Sequence, residues 1–108
     1  MSDAPYLLRT DDQGVTTLAL DRPQSRNSLS MGMLRALRGA LAEIAKDATV
    51  RVVLLAGNGP AFCAGHDLKE MTAHRAERDK GAAGFAALFT QCSKLMQQIL
   101  MLPKPVIA

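Results

Sequence analysis

The sequence lacks the features that would mark a membrane, secreted or nucleic-acid-binding protein. Its apolar runs fall well short of the roughly 20 residues that cross a bilayer as a helix. Its basic residues are scattered, so the net charge of +3 does not indicate nucleic acid as a partner. Met1 to Pro5 contains an acidic residue and no apolar core, which matches neither a secretory signal nor an arginine-rich transit peptide. The default expectation is a cytoplasmic protein with no membrane or nucleic-acid partner.

Cysteine and histidine are scarce, with two residues of each. Cys63 and Cys92 lack the spacing of paired cysteines, and each lies in an apolar pattern, where a thiol acts as a small hydrophobe. Nothing therefore implies an oxidising compartment. His66 and His74 lack the i, i+4 spacing of helical metal ligands, and no cysteine or carboxylate cluster supports them. We expect no metal site.

The composition, 48% hydrophobic and 21% charged, is typical of one small globular domain. The most informative stretch of the sequence consists of a predicted strand, a glycine-rich turn and the start of a helix. Val50 to Leu55 is an apolar, β-branched run, and Asp67 to Met71 has the leading acid of a helix start. The first N–H groups of a helix lack internal acceptors, so a phosphate or an oxyanion is stabilised there. Phe62 replaces a glycine of the dinucleotide fingerprint, and Gly65-His66-Asp67 does not end a phosphate-binding loop, so neither nucleotide motif applies.

The segments before this stretch predict an α/β arrangement. Tyr6 to Arg9 and Val15 to Leu20 predict a hairpin through the turn-forming residues 10–14. Ser30 predicts the N-cap of a helix that ends near residues 47–49. The apolar residues of this helix recur at spacings of three and four: Leu34, Leu37, Leu41 and Ile44. The strand that ends at Leu20, this helix and the strand that begins at Val50 then form a crossover, which favours parallel pairing of the two strands.

The segments after this stretch predict an excursion, a helix and a strand. Residues 72–84 are rich in charge, alanine and glycine without an apolar stripe, which predicts a mobile excursion. The strongest apolar stripe of the chain runs from Phe85 to Ile99 and predicts a helix that ends before Pro103. The sequence of residues 103–108 predicts the beginning of another strand.

Two motifs resemble the crotonase, or enoyl-CoA hydratase/isomerase, superfamily. The loop after the strand at Val50 is similar to the signature of that family over Gly57-x-Gly59-x-Ala61-Phe62-Cys63-Ala64-Gly65-x-Asp67-Leu68. Upstream, Arg22-Pro23 followed by Asn27-Ser28-Leu29 resembles the end of the family's first strand pair. The resemblance implies an α/β fold, the crotonase (ClpP-like) spiral of ββα units, with residues 1–108 as only its N-terminal part.

The resemblance also implies a site for an acyl-CoA. In that family, the backbone N–H of the residue that follows Ala-Gly is one of two donors of an oxyanion hole, which binds the thioester carbonyl oxygen. This role is implied here for the backbone N–H of His66, next to Gly65, which has no Cβ to obstruct a ligand. The residues implied to contact coenzyme A are Ser25, Arg26, Ala64, Gly65, His66, Asp67 and Leu68. Coenzyme A enters as part of the substrate, so no separate cofactor is expected.

Some alternatives stay open at this point. Arg26 either approaches a phosphate of the nucleotide or is a solvated loop arginine. The stripe that begins at Phe85 is either core alone or also the wall of an acyl pocket. Family members commonly form trimers, which implies a homo-oligomer, a trimer or a dimer of trimers, for a full-length parent.

The chain departs from the family at its end, Val106-Ile107-Ala108. In the family, the loop with the second oxyanion donor and the acids used by hydratases and isomerases come after this point. The domain is therefore expected to be incomplete, and the chain alone to be inactive. Two functions are weighed: an acyl-CoA-binding enoyl-CoA hydratase/isomerase-family protein that stabilises a thioester enolate, and a non-catalytic truncated CoA-binding or oligomer-assembly module.

Overall fold

The computed structural model describes residues 4–108, which form a four-stranded sheet and three α-helices. The strands are β1 (Leu7–Asp12), β2 (Val15–Leu20), β3 (Val52–Gly57) and β4 (Val106–Ile107). The helices are α1 (Met31–Lys46), α2 (Leu68–Arg75) and α3 (Ala82–Met101), and a short 3-10 helix covers Pro23–Ser25. The sheet order is β1-β2-β3-β4, with β1 antiparallel to β2 and the other neighbours parallel. The predicted α/β class is confirmed.

The β1–β2 hairpin turns at Gln13 and Gly14, whose φ angles are 50° and 86°. Positive φ at both central residues gives the tight turn whose twist matches its flanking strands. The predicted turn over residues 10–14 is too long, because β1 continues up to this tight turn. Asp11 is accommodated in the strand because its carboxylate accepts a hydrogen bond from the Thr16 hydroxyl on β2, at 2.5 Å. Side-chain pairing across the hairpin outweighs the turn-prone composition.

One hydrophobic core joins the sheet to α1 and α3. The predicted N-cap is confirmed, because Ser30 Oγ accepts a hydrogen bond from the backbone N–H of Met33 at 3.1 Å. The predicted stripe of α1 is also confirmed, since its members are all buried: Leu34, Leu37, Leu41 and Ile44. The sheet and α3 contribute the rest of the core, chiefly Leu18, Leu20, Val53, Leu88 and Leu95.

The predicted crossover is present, with α1 connecting the parallel strands β2 and β3. β3 begins at Val52 rather than Val50. The difference arises because the N–H of Val50 donates to the carbonyl of Asp47 at 3.1 Å and so belongs to the turn after α1. Lys104 supports the same turn from a distant part of the chain, donating to the carbonyls of Ile44 and Asp47.

Residues 72–84, predicted as a mobile excursion, contain helical structure at both ends of that segment, which the sequence analysis did not predict. Helix α2 extends into it, and α3 begins before it finishes. The apolar pattern missed this because α2 buries no residue and therefore has no stripe. Capping defines the start of α3 instead, since the carboxylate of Asp79 accepts hydrogen bonds from the N–H groups of Gly81 and Ala83, each at 2.9 Å.

The last helix and strand agree with the sequence pattern in position. Helix α3 ends at Met101, before Pro103. The strand predicted within residues 103–108 is present as β4, which pairs with β3 through only two residues. Across the part of the chain that the structure describes, no helix combines the length and apolar character needed to traverse a bilayer.

Candidate functional site

The glycine-rich loop after β3 packs directly on the loop that precedes α1. At Gly59 φ is +91°, in the left-handed region, and a Cβ there would lie 2.5 Å from the Cβ of Pro23. Only glycine allows this approach without displacing the proline ring. The contact brings together two stretches that lie far apart in the sequence, and the candidate site is formed between them.

Asn27 holds these two loops together. It is fully buried, and its Oδ1 accepts a hydrogen bond from the N–H of Arg22 at 2.7 Å. Its Nδ2 donates to the carbonyls of Asn58 and Ala61 at 2.9 and 3.0 Å. Sequence reasoning treated Asn27 as a turn former and as part of a family motif, and missed this role. The only local signal was its turn propensity, which fits the observed φ of 54°.

Two backbone hydrogen bonds tie residues 64–66 to the same upstream loop. The N–H of Ala64 donates to the carbonyl of Arg26 at 3.0 Å, and the N–H of Leu29 donates to the carbonyl of Gly65 at 2.7 Å. Leu29 and His66 thereby form an isolated parallel bridge. A trans peptide group directs its N–H away from its C=O. Because the Gly65 carbonyl faces Leu29, the N–H of His66, in the same peptide group, is directed away from Leu29.

The N–H of His66 has no hydrogen-bond acceptor among residues 4–108. Helix α2 begins two residues later, and its N-cap is Asp67, whose Oδ1 accepts from the N–H of Glu70 at 3.1 Å. The predicted helix start is therefore confirmed. The partly positive end of α2 lies beside this free donor, an arrangement that favours an oxygen that gains negative charge.

An open cleft of about 740 Å³ adjoins this turn. Its lining residues are Gln24, Ser25, Arg26, Ser28, Ala64, His66, Asp67, Leu68, Lys69 and Met71. The structure thus brings together the predicted site residues of both loops, and only Gly65, whose φ is +92°, is absent from the lining. Four lining residues were not predicted, and adjacency to predicted ones was their only signal: Gln24, Ser28, Lys69 and Met71.

The cleft carries two free cationic side chains and one engaged carboxylate. The side chains of Arg26 and Lys69 form no ion pair or hydrogen bond with residues 4–108. Asp67 is the only carboxylate in the lining, and it caps α2. Glu70 is also engaged, because its Oε1 accepts from the N–H of Met31 at 2.9 Å and so ties α2 to the start of α1.

A second cavity, of about 100 Å³, has an entirely apolar lining. Helix α3 contributes Leu95, Met96 and Ile99, and the glycine-rich loop contributes Phe62 and Cys63. The remaining lining residues come from the sheet, α1 and the loop before it: Leu20, Leu29, Leu37, Leu41, Leu55 and Val106. This cavity borders the 64–66 turn through Cys63, a free and half-buried cysteine.

The two histidines make separate contacts. The ring of His66 meets Phe89 edge-on, with centroids 5.5 Å apart. His74 Nδ1 lies 2.6 Å from Glu77 Oε1. Within residues 4–108 no group of three or more His, Cys, Asp or Glu side chains is arranged to hold a metal ion.

Solved structures define the class of fold. The chain superposes on an enoyl-CoA hydratase from Mycobacterium smegmatis with a TM-score of 0.85 and 49% identity, over 95% of this chain and 38% of that one. It superposes on human enoyl coenzyme A hydratase domain-containing protein 3 with a TM-score of 0.82 and 31% identity, over 94% and 38%. The predicted crotonase fold is confirmed.

The chain belongs to the enoyl-CoA hydratase/isomerase family, whose model matches residues 15–108. Human enoyl-CoA hydratase domain-containing protein 3, mitochondrial, is 37% identical over 95 residues, which are 88% of this chain and 30% of that protein. The 1,2-epoxyphenylacetyl-CoA isomerase of Escherichia coli is 35% identical over 104 residues, 94% of this chain and 38% of that protein. The chain therefore spans about a third of the length of the curated relatives it matches.

The prediction of a cytoplasmic location is wrong. The human, Xenopus laevis, mouse, rat and zebrafish relatives all carry the word mitochondrial in their names. The prediction depended on the composition of five residues, Met1 to Pro5. Receptors that recognise targeting signals determine subcellular location, and folding physics does not. The composition of five residues therefore gave the cytoplasmic prediction no physical support.

Proposed function

We propose that this chain binds an acyl-CoA thioester in the cleft, and that the backbone N–H of His66 donates a hydrogen bond to the thioester carbonyl oxygen. The observation that carries the proposal is the His66 amide, which has no acceptor within residues 4–108, is directed away from Leu29 and belongs to a residue that lines the cleft. An enolate formed on the thioester would place negative charge on that oxygen, where this donor and the start of α2 stabilise it.

The surroundings of the amide support the same ligand. A Cβ at Gly65 would have no heavy atom within 4 Å, so the space beside this residue is open to a ligand. The free cationic groups of Arg26 and Lys69 suit the phosphates of coenzyme A, and Ser25 adds a hydroxyl beside them. Coenzyme A is proposed as part of the substrate, with no further cofactor.

The proposed chemistry is that of the family to which the chain belongs, hydration or isomerisation of an enoyl-CoA. The described cleft carries one carboxylate, that of Asp67, and this group is engaged in capping. No acid–base pair is among the groups that line this described cleft. We therefore propose that residues 1–108 act as the N-terminal part of a crotonase-like domain, and that on their own they bind without turning over crotonyl-CoA.

A backbone ester at residue 66 tests the proposal, because it replaces the N–H with an oxygen and preserves the chain path. Cys63 allows the modified chain to be assembled by native chemical ligation. Calorimetry would compare butyryl-CoA with its thioether analogue, butyl-CoA, which lacks the carbonyl oxygen. We expect the ester to weaken butyryl-CoA binding about 5- to 30-fold, the equivalent of one hydrogen bond, and to leave butyl-CoA binding unchanged.

Equal affinity of the amide and ester chains for butyryl-CoA would overturn the role of this donor. An unmodified chain that binds neither ligand would overturn the acyl-CoA proposal as a whole. A crotonyl-CoA assay of the unmodified chain adds a separate arm, since hydration above the buffer rate would contradict the proposed lack of turnover.

A second candidate function, a non-catalytic assembly module, is favoured by the edge of the sheet. Strand β4 lies at that edge, and its Ile107 is 55% exposed. Unpaired strand edges invite pairing with another chain. Light scattering of the purified chain would test this function: a trimer, or a dimer of trimers, supports it, and a monomer at all concentrations contradicts it.

A further inference from the structure

Four aromatic rings form a row along helices α2 and α3. His66 meets Phe89 edge-on at 5.5 Å between centroids, Phe89 stacks on Phe85 at 6.2 Å, and Phe85 meets His74 edge-on at 6.1 Å. His66 immediately precedes the N-cap of α2 and His74 lies in its last turn, whereas Phe85 and Phe89 are one turn apart on α3. The row therefore attaches both ends of α2 to α3.

Besides this row, helix α2 is attached by the hydrogen bond between the Met31 N–H and Glu70 and by Met71, which packs against the core. It buries no residue, and its first residue, Leu68, is 74% exposed. At the far end of the row α3 approaches so closely that a Cβ on Gly84 would collide with the ring of His74. These two attachments, the ring contacts and the capping hydrogen bonds hold this helix in place without an apolar stripe.

The peptide group that carries the His66 N–H is held at two points. Its carbonyl, that of Gly65, accepts the hydrogen bond from Leu29 at 2.7 Å. Its other end is the Cα of His66, whose side chain packs on Phe89. Gly65 itself restrains little, since it has no side chain and open space beside it. The direction of the N–H therefore depends on the ring contact as well as on the hydrogen bond.

We propose that Phe89 is a positioning residue, which sets the direction of the His66 N–H by packing against the imidazole ring. The catalytic consequence rests on the function proposed above, because it matters only if this amide contacts a thioester. The geometric part is independent of any ligand. Phe89 is 48% exposed, and without this positioning role it would be an ordinary surface hydrophobic residue.

The residual dipolar coupling of the His66 N–H, measured in weakly aligned ¹⁵N-labelled chain, reports its direction. We expect Phe89→Ala to shift this coupling beyond the scatter of the couplings from β2 and β3. Phe89→Tyr, which keeps the ring, and Leu100→Ala, on the same helix but 82% exposed, should leave it unchanged. If Phe89→Ala does not fold, Phe89→Leu keeps most of the bulk without the ring and should shift the coupling likewise. A His66 coupling unchanged in the variant that folds would overturn the proposal.

A second measurement connects the geometry to the thioester. The stretching frequency of ¹³C-labelled butyryl-CoA carbonyl should fall when the unaltered chain binds it, and Phe89→Ala should lose about half of that fall or more. The affinity for free CoA should stay within roughly two-fold, because CoA has no carbonyl at this position. No frequency change on binding to the unaltered chain would overturn the proposed hydrogen bond to the thioester carbonyl, while the dipolar coupling would still decide the role of Phe89.

Discussion

The sheet with α1 and the segment between β3 and α3 are held by different forces. Helix α1 contributes buried residues along its full length, and its stripe packs in the single core. Helix α2, which lies beside the cleft, buries none and is held by caps, by Glu70 and by aromatic edges. Burial makes the first region a stable scaffold. In the second region, backbone donors and cations have no partner in the described part of the chain, and a binding site needs such groups.

The largest expected effect comes from the same substitution made in each region. Leu34→Ala removes a fully buried side chain of α1 and should lower the free energy of unfolding by about 2–5 kcal/mol. Leu68→Ala on α2, where the leucine is 74% exposed, should change it by no more than about 0.5 kcal/mol. Urea denaturation followed by circular dichroism measures both. Similar losses in the two variants would remove the distinction between the regions.

The next effect concerns the connection between the regions. Asn27→Ala would leave the N–H of Arg22 and the carbonyls of Asn58 and Ala61 without partners, and should cost about 2–3 kcal/mol. It should also weaken CoA binding, because both walls of the cleft move. Asn27→Asp is the sharper control: it keeps the acceptor for Arg22 but sets a carboxylate against two carbonyls, so it should be at least as destabilising. A harmless Asn27→Asp would show that the two donated hydrogen bonds carry no weight.

A smaller and more local effect is expected at the start of α2. Asp67→Ala removes the side-chain acceptor for the Glu70 N–H and should destabilise this helix by about 1 kcal/mol. Hydrogen exchange should rise in α2 but not in α1. Asp67→Ser retains a capping oxygen and should restore protection, whereas equal exchange in the Ala and Ser variants would argue against capping as the cause.

The smallest effect is a pH dependence at the start of α3. Hydrogen bonds from the N–H groups of Ala83 and Gly81 lower the pKa of the Asp79 carboxyl from its ordinary value of 3.8. A lowered pKa in the folded state means that the stabilisation is fully present above the unfolded value. It is lost as the pH falls below 3.8 through the folded pKa. Asp79→Asn should reduce the loss of stability between pH 5 and pH 2, measured by thermal unfolding, and an unchanged profile would contradict this assignment.

The two helices with apolar stripes could be predicted, and the helix without one could be predicted only at its start. Helices α1 and α3 were predicted because apolar spacing reports directly on which face is buried. Helix α2 was predicted only at its first turn, from Asp67, because nothing in its interior repeats. The extent of β1 was missed since the pairing of Asp11 with Thr16 depends on a neighbouring strand.

The candidate site was predicted through motif resemblance rather than periodicity. That route named the residues of both loops, and the structure brings all of them except Gly65 to one cleft. It did not name Lys69, and it gave no bridging role to Asn27. Whether those residues bind an acyl-CoA stays a prediction for the experiments above.

Sequence alone was sufficient for the α/β class, the order of the main elements and the open approach at Gly65, which has no Cβ. These follow from local rules, since periodic burial and glycine's missing Cβ act within a few residues. Three contacts became visible only in the folded chain: Asn27 ties the two loops together, the Leu29 N–H fixes the peptide group of His66, and Phe89 packs on the imidazole. Each of these contacts joins residues distant in the chain, and no local preference contains their geometry.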